Sequence, residues 1–309
     1  MEDSRLVKLY YDLEEAIKSN CADAVSVAFS GGIDSSLVAF ITKKYCEVEL
    51  IAVGLPESHD LKAAKSAAEL IDMELKTVEI DQNEMVSEAE KMQSSIKLSR
   101  IETEFMLPFW IAAKYSTNKI FMCGQGADEL FGGYARFRKE GSARNLSREI
   151  EELKHRIPER EEKISQIFNL KLFCPYLDDS VVNSAEAFTV DERIGDTGKV
   201  LLRNLALKFE LPKRIVERKK KAAQYGSGSQ KALRNVIKHR ITFEIDFESE
   251  EIARAVAKAT EPENKGWVET TVIENKISAI IKAKTLGSLR EAAEDFMACI
   301  SVAEKVSKD

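Results

Sequence analysis

Histidine is scarce in this sequence. Three residues, His59, His155 and His239, lie far apart along 309 positions. An imidazole metal cluster or a Ser-His-Asp triad therefore has little raw material. Cysteine is thinly spread: Cys21, Cys46, Cys123, Cys174 and Cys299 are scattered and odd in number. That argues against a disulfide framework and against a CxxC zinc site. No apolar run approaches the length of a membrane span. The opening MEDSRLVKLYYDLEE is acidic and helical rather than signal-like, so the expected setting is cytoplasmic, with no membrane partner. Excess positive charge is missing too. The net charge is −6, so a broad nucleic-acid-binding surface is not the default expectation. A small phosphate ligand needs only a local positive site and stays open. Repeats and low-complexity tracts are absent.

What remains is a globular composition, 44% hydrophobic and 32% charged, over a chain long enough for one large domain or two ordinary ones. Residues 3–19 carry Leu6, Leu9, Tyr10, Leu13 and Ile17 at helical spacing. Then strands and helices alternate. Strands are predicted at 24–29, 49–53, 75–80 and 119–122. Helices are predicted at 35–45, 60–70 with Asp60 as N-cap, 83–97 and 103–115. Such alternation implies an α/β fold: a parallel twisted sheet flanked by helices. After about residue 135 the β signal fades. Residues 145–170, 179–188, 196–210, 229–241, 248–260 and 268–306 read as helical. The expected division is an α/β core over 1–140 and a mostly helical part over 141–309.

The stretch VSVAFSGGIDSSLVAF, Val25–Phe40, joins an apolar strand to a helix through Ser30-Gly31-Gly32. A glycine turn feeding a helix collects free backbone N–H groups and the positive helix end, a geometry that binds phosphate. Gly31 and Gly32 allow the tight bend, and Ser30, Ser35 and Ser36 offer hydroxyls. The lysine of a Walker A loop is missing. A helix end contributes only about 0.3–2 kcal/mol toward an anion, so further positive charge must come from elsewhere. Asp34 beside a phosphate would repel it unless a cation intervened, which implies Mg²⁺. A plain strand–helix turn is the competing reading of this stretch. A second glycine-rich segment, FMCGQGADELFGGYARF at Phe121–Phe137, also follows a predicted strand and carries Asp128. Neighbouring parallel strands end at one sheet edge, so Asp34 and Asp128 are expected to converge on one metal.

SGGIDSS resembles the pyrophosphate loop of the N-type ATP pyrophosphatases, the PP-loop superfamily. GQGADELFGGY resembles the second signature of its asparagine synthetase and β-lactam synthetase branch. VGLPESHDLKAA at 53–64, PYLDD at 175–179 and GKVLLRNLALKFELPKRIVERKKKAAQYG at 198–226 are similar to the same branch. The likeness spans roughly residues 20–230. It implies an adenine nucleotide α-hydrolase-like fold and a ligase that adenylates a substrate carboxylate, releases pyrophosphate and transfers the acyl group to an amine. Carried over by motif, Ser30, Gly31, Gly32, Asp34 and Ser35 hold pyrophosphate and metal, and Asp128 is the second metal carboxylate. Ala28, Val53 and the backbone of Gly124 line the adenine of ATP. Lys220, in Arg218-Lys219-Lys220-Lys221, matches the lysine that neutralises the leaving phosphates.

The sequence departs from that pattern at three places. Residue 2 is Glu2 and the first motif begins by residue 25, so the amino-terminal glutaminase domain is expected to be absent. The nitrogen source would then be free ammonia, another amine, or ammonia from a separate amidotransferase. Gln125 stands where the branch usually has a glutamate placed as general base, and a neutral amide cannot take a proton. Lys171 and Phe173 stand where a glutamate and an arginine usually precede the PYLDD-type stretch, leaving the acceptor acid open. Gln125 and Lys220 are the candidate catalytic residues. Two other readings stay open: a PP-loop enzyme adenylating a tRNA base or a carbonyl, and an ATP-binding module without chemistry. The last 60–70 residues read as core or interface helices, which leaves a homodimer open.

Overall fold

The computed structural model describes residues 3–96, 98–133, 160, 162–195, 198–218, 226–229, 233, 239–264, 267–283 and 286–307. They form two compact units, 1–232 and 233–309. The division therefore falls well after residue 140. The sheet of the first unit takes a strand from beyond that point, so its core is not complete until the region after 170 has folded.

The first unit is built on five parallel strands: β1 (Ala24–Ala28), β2 (Glu47–Gly54), β3 (Leu75–Glu79), β4 (Ile120–Met122) and β5 (Lys171–Phe173). Their order is β3-β2-β1-β4-β5. Before the sheet comes α1 (Ser4–Lys18); α2 (Ile33–Thr42) returns the chain from β1 to β2, and α3 (His59–Leu70) from β2 to β3. Two helices, α4 (Gln82–Ser95) and α5 (Arg100–Lys114), separate β3 from β4. β5 is too short and too ordinary, Lys-Leu-Phe, to stand out in sequence.

Side chains decide where these helices begin. Asp81 with Glu84, and Ser99 with Glu102, form reciprocal capping boxes at α4 and α5. At α3 the N-cap is Ser58, whose hydroxyl accepts from Leu61 N. Asp60, expected to be that cap, instead lies inside the first helical turn. The helices hold because their apolar stripes are buried. Leu9, Leu13 and Ile17 of α1 and Leu37 and Ile41 of α2 are fully buried in the core that surrounds β1. Each such side chain contributes roughly 1.5–3 kcal/mol by leaving water.

The chain runs from β1 outward to β2 and β3, then returns to place β4 and β5 on β1's other side. This reversal between β1 and β4 is a topological switch point, and ligands of open parallel sheets bind at the carboxyl ends of strands there. The segments following β1 and β4 are the two glycine-rich stretches.

The second unit has an antiparallel sheet of β6 (His239–Asp246), β7 (Val268–Ile273) and β8 (Lys276–Ala283), in the order β6-β8-β7. Helices Glu250–Asn264 and Leu286–Ser307 pack against it around Ala253, Val256, Ile277, Ala279, Ile281, Phe296 and Ile300. Among the described residues beyond 140 helix predominates, as expected, but helix was also expected over 239–241 and 268–283, where strands stand. The burial of β8 alternates with period two, and Glu274 takes a positive φ of 54° in the two-residue turn before it. The run ISAII satisfies helical and strand spacing alike; the β-branched VETTVI and the tight turn decide for strand. The expected helix at 145–170 lies mostly outside the described residues.

Candidate active site at the strand switch point

After β1 the chain turns through Ser30, Gly31 and Gly32 into α2. Gly31 has φ +67°, and a Cβ there would fall 2.4 Å from the Ala63 carbonyl oxygen of α3. Only glycine lets the turn lie this close to α3. Gly32 is the N-cap of α2, and no side chain caps that end. Ser35 Oγ accepts from Ser30 N at 3.2 Å and lies 3.3 Å from Ser30 Oγ, so both hydroxyls sit inside the turn. Ser36 is turned into the core and fully buried. Ala28 is half-buried at the end of β1, and Val53 is buried near the end of the adjacent β2. Both lie at the same edge as the turn.

The segment after β4 packs directly on this turn. A Cβ on Gly124 would lie 2.9 Å from Asp34 Cβ and 3.0 Å from Ser35 N, so Gly124 lets the two loops touch. Gly126, at φ +87°, starts the short helix α6 (Ala127–Leu130), which carries Asp128 in its first turn. Asp34 and Asp128 converge, as the parallel topology requires. Both close on one group: Lys199 Nζ lies 2.5 Å from Asp34 Oδ1 and 2.6 Å from Asp128 Oδ1. The Lys199 side chain is 6% exposed. Its backbone is left-handed at φ 57°, directly after Gly198 and before helix Val200–Lys208. Such a conformation costs a non-glycine residue about 1–3 kcal/mol and clusters at functional sites. Gly133 makes room for the bridge, because a Cβ there would overlap Asp128 Oδ1 and Lys199 Cε.

Two further residues hold the site from outside the glycine loops. Tyr176, fully buried, donates from its hydroxyl to the Asp34 carbonyl oxygen at 3.0 Å. Burial, reinforced by the Asp34 charge, pushes its phenol well above the usual range, so it stays a neutral donor. Arg218 Nη1 donates to the Gly31 carbonyl oxygen at 2.9 Å. Burial lowers the Arg218 guanidinium below its ordinary range, and the Asp60 charge opposes that shift. Gln125 is held on both sides: its Oε1 accepts from Arg160 Nη2 at 2.9 Å, and its Nε2 lies 3.6 Å from Met106 Sδ. Lys220 lies outside the described residues.

The glycine turns, Asp34, Asp128 and Gln125 are therefore gathered at one edge. Lys199, Tyr176, Arg218 and Arg160 join them without having been singled out by sequence for a role. The first three lie in stretches that carry the family resemblance, GKVLLR, PYLDD and ERKKK, but a lysine or arginine in sequence reads first as a solvated charge. Arg160 lies in no such stretch.

Among the described residues no three His, Cys, Asp or Glu side chains gather into a metal cluster. Mg²⁺ does not need one, since it takes one or two protein carboxylates when phosphates supply other ligands. Asp34 and Asp128 meet that requirement, and the ammonium between them shows that the pair is built around positive charge.

Residues 8–162 and 144–278 match the asparagine synthase family. A putative glutamine-hydrolysing asparagine synthetase of Methanocaldococcus jannaschii is 30% identical over 260 residues, covering 70% of this chain and 48% of that protein. Asparagine synthetase B of Escherichia coli is 27% identical over 243 residues, covering 70% of this chain and 44% of that protein. The chain thus spans about half the length of the curated relatives it matches. Among solved structures, an NMN synthetase from Francisella tularensis aligns over 72% of this chain and 76% of its own, with 15% identity and a TM-score of 0.38. By the extent of the family match, this chain belongs to the asparagine synthase family.

Proposed function

We propose that this chain is an ATP-dependent, amide-forming ligase of asparagine-synthetase type. A carboxylate oxygen of the acceptor acid attacks the α-phosphorus of ATP, and the bond to the β-phosphate breaks to release pyrophosphate. Ammonia or another amine then attacks the acyl carbon, AMP leaves, and the nitrogen loses a proton. The observation that carries this reading is the convergence of Asp34 and Asp128, across the strand switch point, on one buried cation.

In this reading Ser30, Gly31, Gly32 and Ser35, with the uncapped end of α2, bind the pyrophosphate. Ala28, Val53 and the backbone of Gly124 line the adenine. Asp34 and Asp128 would hold Mg²⁺, which when bound neutralises charge on the leaving pyrophosphate. The positive charge missing from the glycine turn comes from far along the chain. Lys199 is buried between the two carboxylates, and Arg218 binds the turn two positions before Lys220. Lys220 is assigned to the leaving phosphates and to the second transition state. Gln125 positions and does not accept a proton, so the amine must lose its proton to another group. The nitrogen donor is free ammonia, an amine, or ammonia from a separate amidotransferase, in a cytoplasmic setting. Among the described residues no helix is long and apolar enough to cross a membrane.

The test is pyrophosphate release from ATP with a panel of carboxylic acids and ammonium. Release should depend on the acid and on Mg²⁺. Asp34→Asn and Asp128→Asn should each reduce it by at least about 10²-fold, the cost of losing one preorganised group. Release that ignores the acid, or that survives both substitutions, contradicts the reading.

A further inference from the structure

Two buried thiols meet beside the site. Cys123 is the first residue after β4, and Cys174 is the first after β5. The pairing of these strands ends with Met122 opposite Phe173, so the two cysteines take the next rung. Cys123 N still donates to the Phe173 carbonyl oxygen at 3.3 Å. The two sulfurs also lie 3.3 Å apart, although the residues are 51 positions apart in the chain. Neighbouring strands run about 4.8 Å apart, and a disulfide spans Cα separations of about 4.4–6.8 Å, so the backbone already stands at bridging distance. A sulfur–sulfur bond is about 2.05 Å long, so the thiols need to close by about 1.2 Å. Cys21 and Cys46 form a second thiol contact. There burial, then the Cys46 hydrogen bond, push the Cys21 thiol up to about 12, and burial raises Cys46 too. Both stay in the less reactive protonated form at neutral pH.

Each sulfur of the first pair stands within two residues of a group that holds Asp34. Gly124 follows Cys123 and packs so closely on α2 that a Cβ there would fall 2.9 Å from Asp34 Cβ. Tyr176, two residues after Cys174, donates to the Asp34 carbonyl oxygen. In the sheet β4 lies between β1 and β5. Drawing Cys123 toward Cys174 therefore pulls Gly124 away from the turn after β1 and from Asp34.

We propose that Cys123 and Cys174 are a modification site: a dithiol that hydrogen peroxide converts to a disulfide, loosening the Asp34 corner and weakening nucleotide binding. Cys174 is the more exposed of the two, at 7% against 4%. Its sulfur attacks one peroxide oxygen, the O–O bond breaks, and a sulfenic acid and one water form. The Cys123 sulfur then attacks the Cys174 sulfur, the S–O bond breaks, and the hydroxyl leaves with the Cys123 proton as a second water. Each sulfur gives up one electron, and the peroxide takes both. A dithiol reductant reverses the bond by exchange. The disulfide stands independently of the ligase reading above; its effect on nucleotide rests on that reading.

The full chain, reduced and then treated with hydrogen peroxide, tests this. Peptide mapping by mass spectrometry should find Cys123 joined to Cys174, and dithiothreitol should separate them. Hydrogen exchange of the amides over 30–36 should quicken in the linked form. Calorimetry should show Mg²⁺–ATP bound about tenfold more weakly by that form, the loss of one well-placed contact, with recovery on reduction. Cys174→Ala should bind Mg²⁺–ATP like the reduced wild type and ignore peroxide, and Cys123→Ala gives a second, independent check. Oxidation that reaches the other cysteines without linking this pair overturns the proposal, as does a linked form with unchanged exchange over 30–36. A link that quickens exchange in a chain binding no ATP in either form keeps the redox site and removes the ligase reading. Mg²⁺–ATP affinity indifferent to the link overturns the proposal and leaves the ligase reading intact.

Discussion

Lys199 Nζ stands 2.5 Å from Asp34 Oδ1, although the two residues are 165 positions apart in the chain. The same ammonium reaches Asp128 at 2.6 Å. One buried cation thus ties together the first turn of α2, the helix after β4 and the start of helix Val200–Lys208. The candidate site is therefore also a structural junction, and substitutions there act on both stability and chemistry.

Lys199→Met leaves two carboxylates facing each other with their cation removed. Breaking a buried ion pair by deleting one partner costs about 3–5 kcal/mol. Urea denaturation should show a loss of that order without divalent cations, and millimolar Mg²⁺ should restore part of it by binding the exposed pair. A variant as stable as the wild type, and indifferent to Mg²⁺, would show that the bridge contributes nothing.

Gly133→Ala tests the space around that bridge. A single methyl would overlap Asp128 Oδ1 and Lys199 Cε. Gly133 does not have a positive φ, so the substitution introduces crowding and not backbone strain. Overpacking of this kind costs about 1–3 kcal/mol. Thermal unfolding should register the loss, and acid-dependent pyrophosphate release should fall with it. Wild-type activity in Gly133→Ala would mean that the carboxylates need not be held where they stand.

Much of the site is legible in sequence because its chemistry is concentrated in two short stretches. Ser30-Gly31-Gly32 and Gly124-Gln125-Gly126 announce turns, and strand–helix alternation puts both at one sheet edge. What escapes is whatever depends on long-range packing. Lys199 is buried against Asp34 and Asp128, and Tyr176 reaches the Asp34 carbonyl from the short helix Pro175–Leu177. Neither burial nor partner can be read from a lysine or tyrosine alone. The strands β7 and β8 escape for another reason: Ile277, Ala279 and Ile281 alternate in burial, but ISAII is equally good helix spacing. The Asp60 cap fails locally, because Ser58 stands two residues earlier and its hydroxyl reaches the Leu61 amide.

Glu88 provides a probe of the fold away from the site. Its carboxylate meets Lys91 and Lys114 at 2.8 Å and Trp110 Nε1 at 3.1 Å. Burial acts to raise its pKa, but the hydrogen bonds from Lys114, Lys91 and Trp110 outweigh it, and the net shift is below the ordinary 4.5. A carboxyl with a depressed folded pKa stabilises above its unfolded value, and that stability is lost as pH falls through the folded value. Glu88→Gln should therefore destabilise by about 1–3 kcal/mol at neutral pH. The gap to wild type should narrow as pH drops below 4.5. Denaturation curves at pH values from neutral to strongly acidic check this; a gap that widens in acid would reverse the assigned sign.

The most direct measurement follows the oxygen. An acceptor acid labelled with ¹⁸O in its reacting carboxylate is turned over with ATP, Mg²⁺ and ammonium, and the products are read by mass spectrometry. Attack on the α-phosphorus predicts one ¹⁸O in AMP and none in pyrophosphate. Unlabelled AMP, or release of ADP and labelled phosphate, would contradict it.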